Sequence, residues 1–207
     1  MKKFIRGFLY TILTIVAVFS LFAVVTGRTY LFKAVWYNFA DIDDYKVFDN
    51  NTVTIGQPQA WNISANYNTA TVPVSLKQLL DELSSVAVVV IKNDSLLFEQ
   101  YWQGYSDSSL SASFSVAKSI TSLLIGCALK DGNIKSLEEP VGAYIPAFKE
   151  GEKAKVRIVD LLTMSSGSDW DESYANPLSV TTELYYGGDV YKTATGVKII
   201  DPPGTLH

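Results

Sequence analysis

Ser115 and Lys118 are the residues of this chain whose types and spacing could do chemistry; they sit in the stretch Ser113-Phe114-Ser115-Val116-Ala117-Lys118-Ser119-Ile120. A serine hydroxyl is a poor nucleophile at neutral pH and needs a base within hydrogen-bond reach. A lysine three residues further on can serve, because that spacing sends both side chains off one face of a helix. Such a lysine must be partly neutral, which desolvation or a nearby positive potential brings about. The implied chemistry is attack by Ser115 on a carbonyl with Lys118 as general base. Spacing alone leaves a plainer reading open, in which Ser113 or Ser115 caps the helix and Lys118 snorkels to solvent. A bare Ser-x-x-Lys is also weak evidence, since a serine-rich chain of this length holds about one by chance.

The elements around the pair must position it. Residues 104–113 form a polar loop, and residues 116–130 read as a helix with Ile120, Leu123, Leu124 and Cys127 at helical spacing. That broad apolar face predicts a helix buried against a sheet, with Ser115 and Lys118 at its amino-terminal mouth. There, unpaired NH groups and the helix dipole favour an alkoxide or oxyanion. Asp131-Gly132-Asn133 should end the helix through a left-handed glycine. Cys127 should be a buried, inert thiol, and as the lone cysteine it has no intramolecular disulfide partner.

Upstream, Ser75-Leu76-Lys77-Gln78 has the form of a capping box before a helix with Leu76, Leu79, Leu80 and Leu83 on one face. Residues 85–91 and 95–102 read as an antiparallel hairpin around Lys92-Asn93-Asp94, where Asn and Asp tolerate positive φ. The first strand is apolar almost throughout and should be covered on both faces. Downstream come an irregular segment with Pro140 and Pro146, a short amphipathic helix over 156–164 that Asp160 begins or stabilises, and a polar aromatic loop over 168–177. Residues 181–191 follow no clear period. Trp61 and Tyr67 read as packing anchors in a loop. The fold class is α+β, an antiparallel sheet flanked by helices.

The 207 residues are 48% hydrophobic, enough for one sizeable core, and the formal charge of −4 with a pI near 5 offers no basic stripe for nucleic acid. With one histidine and one cysteine, a zinc site built from protein ligands is not expected. Lys2, Lys3 and Arg6 precede an uncharged run over residues 7–26, about the length that spans a hydrocarbon core. The run stays bulky to its end and lacks a small-x-small cleavage site, which favours an uncleaved anchor over a signal peptide. The expected organisation is a cytoplasmic start (1–6), a transmembrane anchor (7–26), a lead segment without clear period (27–74) and a domain from residue 75 to 207. The positive amino-terminal flank puts that domain on the extracytoplasmic side.

Phe114-Ser115-Val116-Ala117-Lys118-Ser119-Ile120-Thr121-Ser122-Leu123-Leu124, then Asp131-Gly132, Pro140-Val141, Tyr144-Ile145-Pro146 and Asp160-Leu161-Leu162-Thr163-Met164-Ser165-Ser166-Gly167, resemble the serine β-lactamase-related superfamily. Within it the chain is similar to the branch of class C β-lactamases, penicillin-binding carboxypeptidases, carboxylesterases and 6-aminohexanoate-oligomer hydrolases. Trp170-Asp171-Glu172-x-Tyr174 points toward the last of these. The resemblance implies an acyl-enzyme on Ser115, proton transfer through Lys118, the Ser115 NH as an oxyanion donor, and no metal or organic cofactor. It also implies a small-molecule or peptide-like amide or ester substrate, with Tyr174 contributing to a substrate lip.

Members of the superfamily add a Tyr-x-Asn or Tyr-Ser-x element and a Lys-Thr-Gly or His-x-Gly strand. Pro202-Pro203-Gly204-Thr205-Leu206-His207 matches the turn before the tyrosine, and within these residues neither that tyrosine nor a Lys-Thr-Gly or His-x-Gly strand follows the turn. Tyr185, Tyr186 and Tyr191 precede that turn and head no such motif. The expectation is therefore the amino-terminal half of a hydrolase, inactive by itself. The alternative is a catalytically dead, membrane-tethered binding or sensor domain with the same fold. Asp169, Asp171 and Glu172 are expected to cap turns or carry solvated charge, and His207 is left without a role.

Overall fold

The computed structural model describes residues 2–48 and 50–205. In chain order its helices are α1 (Lys2–Val25), α2 (Tyr30–Tyr37), α3 (Val74–Glu82), α4 (Val116–Lys130), α5 (Ile158–Leu162), α6 (Val180–Tyr186) and α7 (Val190–Gly196). The strands are β1 (Asn62–Ile63), β2 (Ala87–Lys92) and β3 (Ser95–Tyr101). They fall into two compact units, one of residues 43–112 and one that joins residues 1–42 to residues 113–207.

The smaller unit is built on the expected hairpin. β2 and β3 pair antiparallel from Ala87 opposite Tyr101 to Lys92 opposite Ser95, with an irregularity between Val90 and Ile91. Asn93 (φ 49°) and Asp94 (φ 55°) both take the left-handed conformation that a tight hairpin turn requires. The sheet is not purely antiparallel, because β1 joins the other edge of β3 in parallel, Asn62 opposite Ser95. Nor is β2 covered on both faces, since Val89, Val90 and Ile91 are exposed. A run of valines records a preference for extended backbone and burial, but the covering layer has to come from elsewhere. Pro73 occupies the N-cap of α3 without a side-chain cap bond, so Ser75 lies inside the first turn and the predicted capping box does not form. The helix forms as predicted, yet Leu76, Leu79 and Leu83 remain exposed.

The larger unit has two cores. One gathers Ile134, Val141, Phe148, Val156 and Ile158, against which α4 lays Ile125, Ala128 and Leu129. This is a helical i, i+3, i+4 stripe, but not the predicted one: Ile120, Leu123 and Leu124 are exposed, as is Cys127. The carboxyl-terminal half of α4 is therefore the packed half. Gly132 (φ 74°) ends α4 as predicted. The second core joins Ala23 of α1, Tyr30, Leu31 and Ala34 of α2, and Tyr186 of α6. The lead segment thus begins as a helix. Its sequence shows no single apolar face because apolar residues lie on both sides of α2. α1 is long and apolar enough to cross a membrane, and among its residues only Ala23 is buried within the described structure.

The sequence Asp160 to Gly167 fastens the end of the described chain to α5. The Asp160 carboxylate accepts the Arg157 NH (2.8 Å) and the Arg157 guanidinium (2.7 and 3.0 Å), which caps α5 as predicted. The Ser165 carbonyl accepts the Gly204 NH, and the Gly167 carbonyl accepts those of Ile200 and Asp201. Gly167 has φ 70°, and a Cβ there would stand 2.1 Å from the Asp201 carbonyl oxygen, so only glycine fits.

Candidate active site

The polar loop enters α4 through Phe114, whose φ of 44° is unusual for a bulky residue and costs about 1–2 kcal/mol. The NH groups of Val116, Ala117 and Lys118 then bond the carbonyls of Ser113, Phe114 and Ser115, which tightens the first turn. Ser115 occupies the N-cap of α4, but its hydroxyl makes no capping bond. It instead accepts a hydrogen bond from Lys118 Nζ at 3.0 Å. Among the described residues the Ser115 NH has no backbone partner and stands at the amino-terminal end of a 15-residue helix. A hydroxyl, an amine within proton-transfer distance and an open NH at a positive helix end are the parts that acyl transfer uses.

The amine is not buried. The Lys118 side chain is 55% exposed, so the desolvation predicted for it is absent from these residues, in line with the exposed amino-terminal half of α4. Glu172 faces it, with Oε1 3.9 Å from Nζ. The three loop carboxylates, expected to cap turns or carry solvated charge, divide between these roles: Asp171 caps its own turn, Asp169 holds a distant backbone NH, and Glu172 is exposed. Asp169 accepts the Lys198 NH at 2.8 Å, and Asp171 accepts the Ser173 NH and the Asn176 amide. Glu172 is the one that reaches the Ser–Lys pair. The signal available in the sequence was its place between Trp170 and Tyr174 in a loop expected to line a mouth.

Tyr174 is drawn to the same end of α4 through an intermediary. Its ring meets Tyr185 edge-on at 6.2 Å, and Tyr185 stacks on Phe114 at 6.4 Å. Tyr174 keeps about half its surface exposed, and Tyr191 on α7 is exposed as well. Tyr185 went unassigned in the sequence because the contact depends on how α6 packs. Tyr67 and Trp61 lie in the smaller unit, where Tyr67 bonds Glu99 and Trp61 is exposed. His207 lies outside the described residues.

A cavity of about 950 Å³ opens beside Lys118 and runs along α4, walled by Leu123, Ile134, Tyr144, Leu161 and Met164. Ser115 is not on its wall, so this apolar groove is separate from the Ser115 hydroxyl although Lys118 borders both. Among the described residues no cluster of three His, Cys, Asp or Glu side chains could hold a metal ion.

Known proteins resemble this chain in sequence and in fold. A curated relative from Paenarthrobacter ureafaciens, "6-aminohexanoate-dimer hydrolase", is 27% identical over 104 residues, which are 50% of this chain and 26% of that protein. A solved structure, "Putative 6-aminohexanoate-dimer hydrolase from Bacillus anthracis", superposes with a TM-score of 0.57 at 24% identity, over 72% of this chain and 44% of that one. The chain thus spans about a quarter of the curated relative and less than half of the structural one. The β-lactamase family model matches residues 75–207, close to two thirds of the chain. With the Ser–Lys pair inside that match, the chain belongs to the β-lactamase family, within the serine β-lactamase-related superfamily, and carries an amino-terminal part of its domain.

Proposed function

We propose that this chain is the nucleophile-bearing part of a membrane-anchored serine hydrolase that cleaves an amide or ester through an acyl-Ser115 intermediate, its domain on the extracytoplasmic side. The observation that carries the reading is the Ser115 hydroxyl, which leaves its N-cap unmade and meets Lys118 Nζ at 3.0 Å. In the forward step Lys118 takes the Ser115 proton as Oγ attacks the carbonyl carbon, and the developing oxyanion turns to the Ser115 NH. The tetrahedral adduct collapses as the lysine returns the proton to the leaving amine or alcohol, and water then releases the acid by the reverse route. Glu172, beside Nζ, and the ring set of Phe114, Tyr174 and Tyr185 bound the mouth where substrate enters. The name of the curated relative supports an amide as substrate.

These 207 residues hold Ser115 and Lys118 but no Lys-Thr-Gly or His-x-Gly strand, and the Tyr-x-Asn triplet they contain, Tyr174-Ala175-Asn176, lies before the Pro202-Pro203-Gly204 turn rather than after it. By themselves they are therefore expected to be acylated at Ser115 and to turn over poorly. Incubation with a fluorophosphonate followed by peptide mass mapping tests the assignment. The phosphonyl mass is expected on Ser115 and is expected to vanish in Ser115→Ala. An unmodified Ser115 after long exposure at about pH 9, where a larger share of lysine amines is neutral, would return the chain to the reading of a binding domain.

A further inference from the structure

The hydrolase reading leaves the outer side of α2 without a task. The inner side, Tyr30, Leu31 and Ala34, is buried with Ala23 and Tyr186. Phe32, Val35, Trp36 and, just past the helix end, Phe39 recur at the i, i+3, i+4, i+7 spacing of a second helical face. All four are exposed, Trp36 at 83%. A helix apolar on both sides belongs in a core or in lipid rather than in water.

The contact between α1 and α2 sets the depth at which that stripe would lie. Residues 26–29 link the two helices, and the ring of Phe32 meets the ring of Phe19 edge-on at 5.6 Å. Phe19 lies six residues before Val25, the end of α1, a distance of about 9 Å at 1.5 Å per residue. α2 therefore doubles back beside the apolar run instead of standing clear of it. With α1 across a bilayer, Phe32 reaches the roughly 5–10 Å depth at which interfacial helices bury their apolar face. The composition suits that layer: Trp36 and Tyr37 are residues of the aromatic belt, and Arg28 and Lys33 supply cations at headgroup level.

We infer that α2 is an interfacial helix, seated at the boundary of headgroups and acyl chains where α1 leaves the bilayer, and that it holds the Ser115 end of α4 at the membrane surface. The second part follows from a run of ring contacts. Tyr37 stacks on Tyr186 at 6.3 Å, Tyr186 meets Tyr185 at 4.9 Å, and Tyr185 stacks on Phe114, next to Ser115. The inference rests on the proposed membrane crossing of α1.

The test uses the full chain reconstituted in phosphatidylcholine and phosphatidylglycerol vesicles, with Trp61→Phe, Trp102→Phe and Trp170→Phe leaving Trp36 as the only tryptophan. Lipids brominated close to the headgroup should quench roughly half or more of its emission, and aqueous iodide little. If the protein floats with the vesicles and resists alkaline extraction while Trp36 is quenched by iodide and not by bromolipid, the anchor stands and the inference fails. If the protein does not float with the vesicles at all, the anchor reading fails and takes the inference with it. Trp36→Cys carrying an environment-sensitive fluorophore in a Cys127→Ser background repeats the reading with the other tryptophans intact. A blue-shifted emission supports the inference, and a water-like one overturns it.

Discussion

Ser115 and Asp160 stand at the starts of two helices and use their oxygens in opposite ways. Asp160 is 1% exposed, and its carboxylate is spent on the Arg157 NH and guanidinium, which hold it below the usual carboxylate range. Ser115 forgoes the equivalent capping bond, so its hydroxyl is left for Lys118. Removing the Asp160 carboxylate breaks charge-assisted bonds and a cap. Asp160→Ala should therefore lower unfolding stability by about 2–3 kcal/mol, read by denaturant unfolding in detergent. The lower end applies if Arg157 compensates through Glu138, which it already meets at 2.6 Å. The contact between Ser115 and Lys118 was legible at this scale because a three-residue spacing on a helix is enough to bring the two side chains together. Glu172 and Tyr185 were not, since each reaches the site across a tertiary contact that sequence spacing does not encode. The exposure of Lys118 escaped for the same reason, because burial belongs to the surroundings and not to the residue.

Elements were more legible in their existence than in what covers them. The bounds of α4, the hairpin turn at Asn93 and Asp94, the glycine end at Gly132 and the cap at Asp160 all follow from local chemistry, and all are present. The buried faces predicted for α4 and β2 are not, because apolar periodicity states a demand for cover without naming the cover. α2 shows the converse, a helix hidden from periodicity by apolar residues on both sides. The hairpin also carries its own pH dependence. Glu99 accepts bonds from the hydroxyls of Tyr67 (2.5 Å) and Tyr101 (2.7 Å), which hold its carboxyl below the usual range and push Tyr101 up to about 12. A carboxylate depressed in the folded state stabilises above its unfolded pKa of about 4.3, and the contribution is lost as pH falls through the folded value. The raised phenol works in the other sense: its contribution is present below about pH 10 and lost as pH rises through about 12. Thermal unfolding should therefore show an acid limb below about pH 4 that Glu99→Gln makes shallower. An unchanged acid limb in that variant would assign the dependence to other carboxylates, Asp160 first.

At the scale of the molecule, the chain is a family member that spans 44% of the solved relative and holds α4 and the apolar amino-terminal helix within one compact unit. Exposed apolar residues on α4, β2 and α3, and the groove beside Lys118, are surfaces of a domain seen in part. The family was readable from ordered motifs, whereas the substrate was not, because the residues that line a pocket come from distant parts of a chain. The central claim is that Lys118 activates Ser115, and the rate of Ser115 phosphonylation in the wild type against Lys118→Met tests it most directly. A general base contributes on the order of a hundredfold or more, so the variant should react at least about a hundred times more slowly while remaining folded by circular dichroism. A variant that labels Ser115 within about threefold of the wild-type rate would show that the 3.0 Å contact is not the activating one.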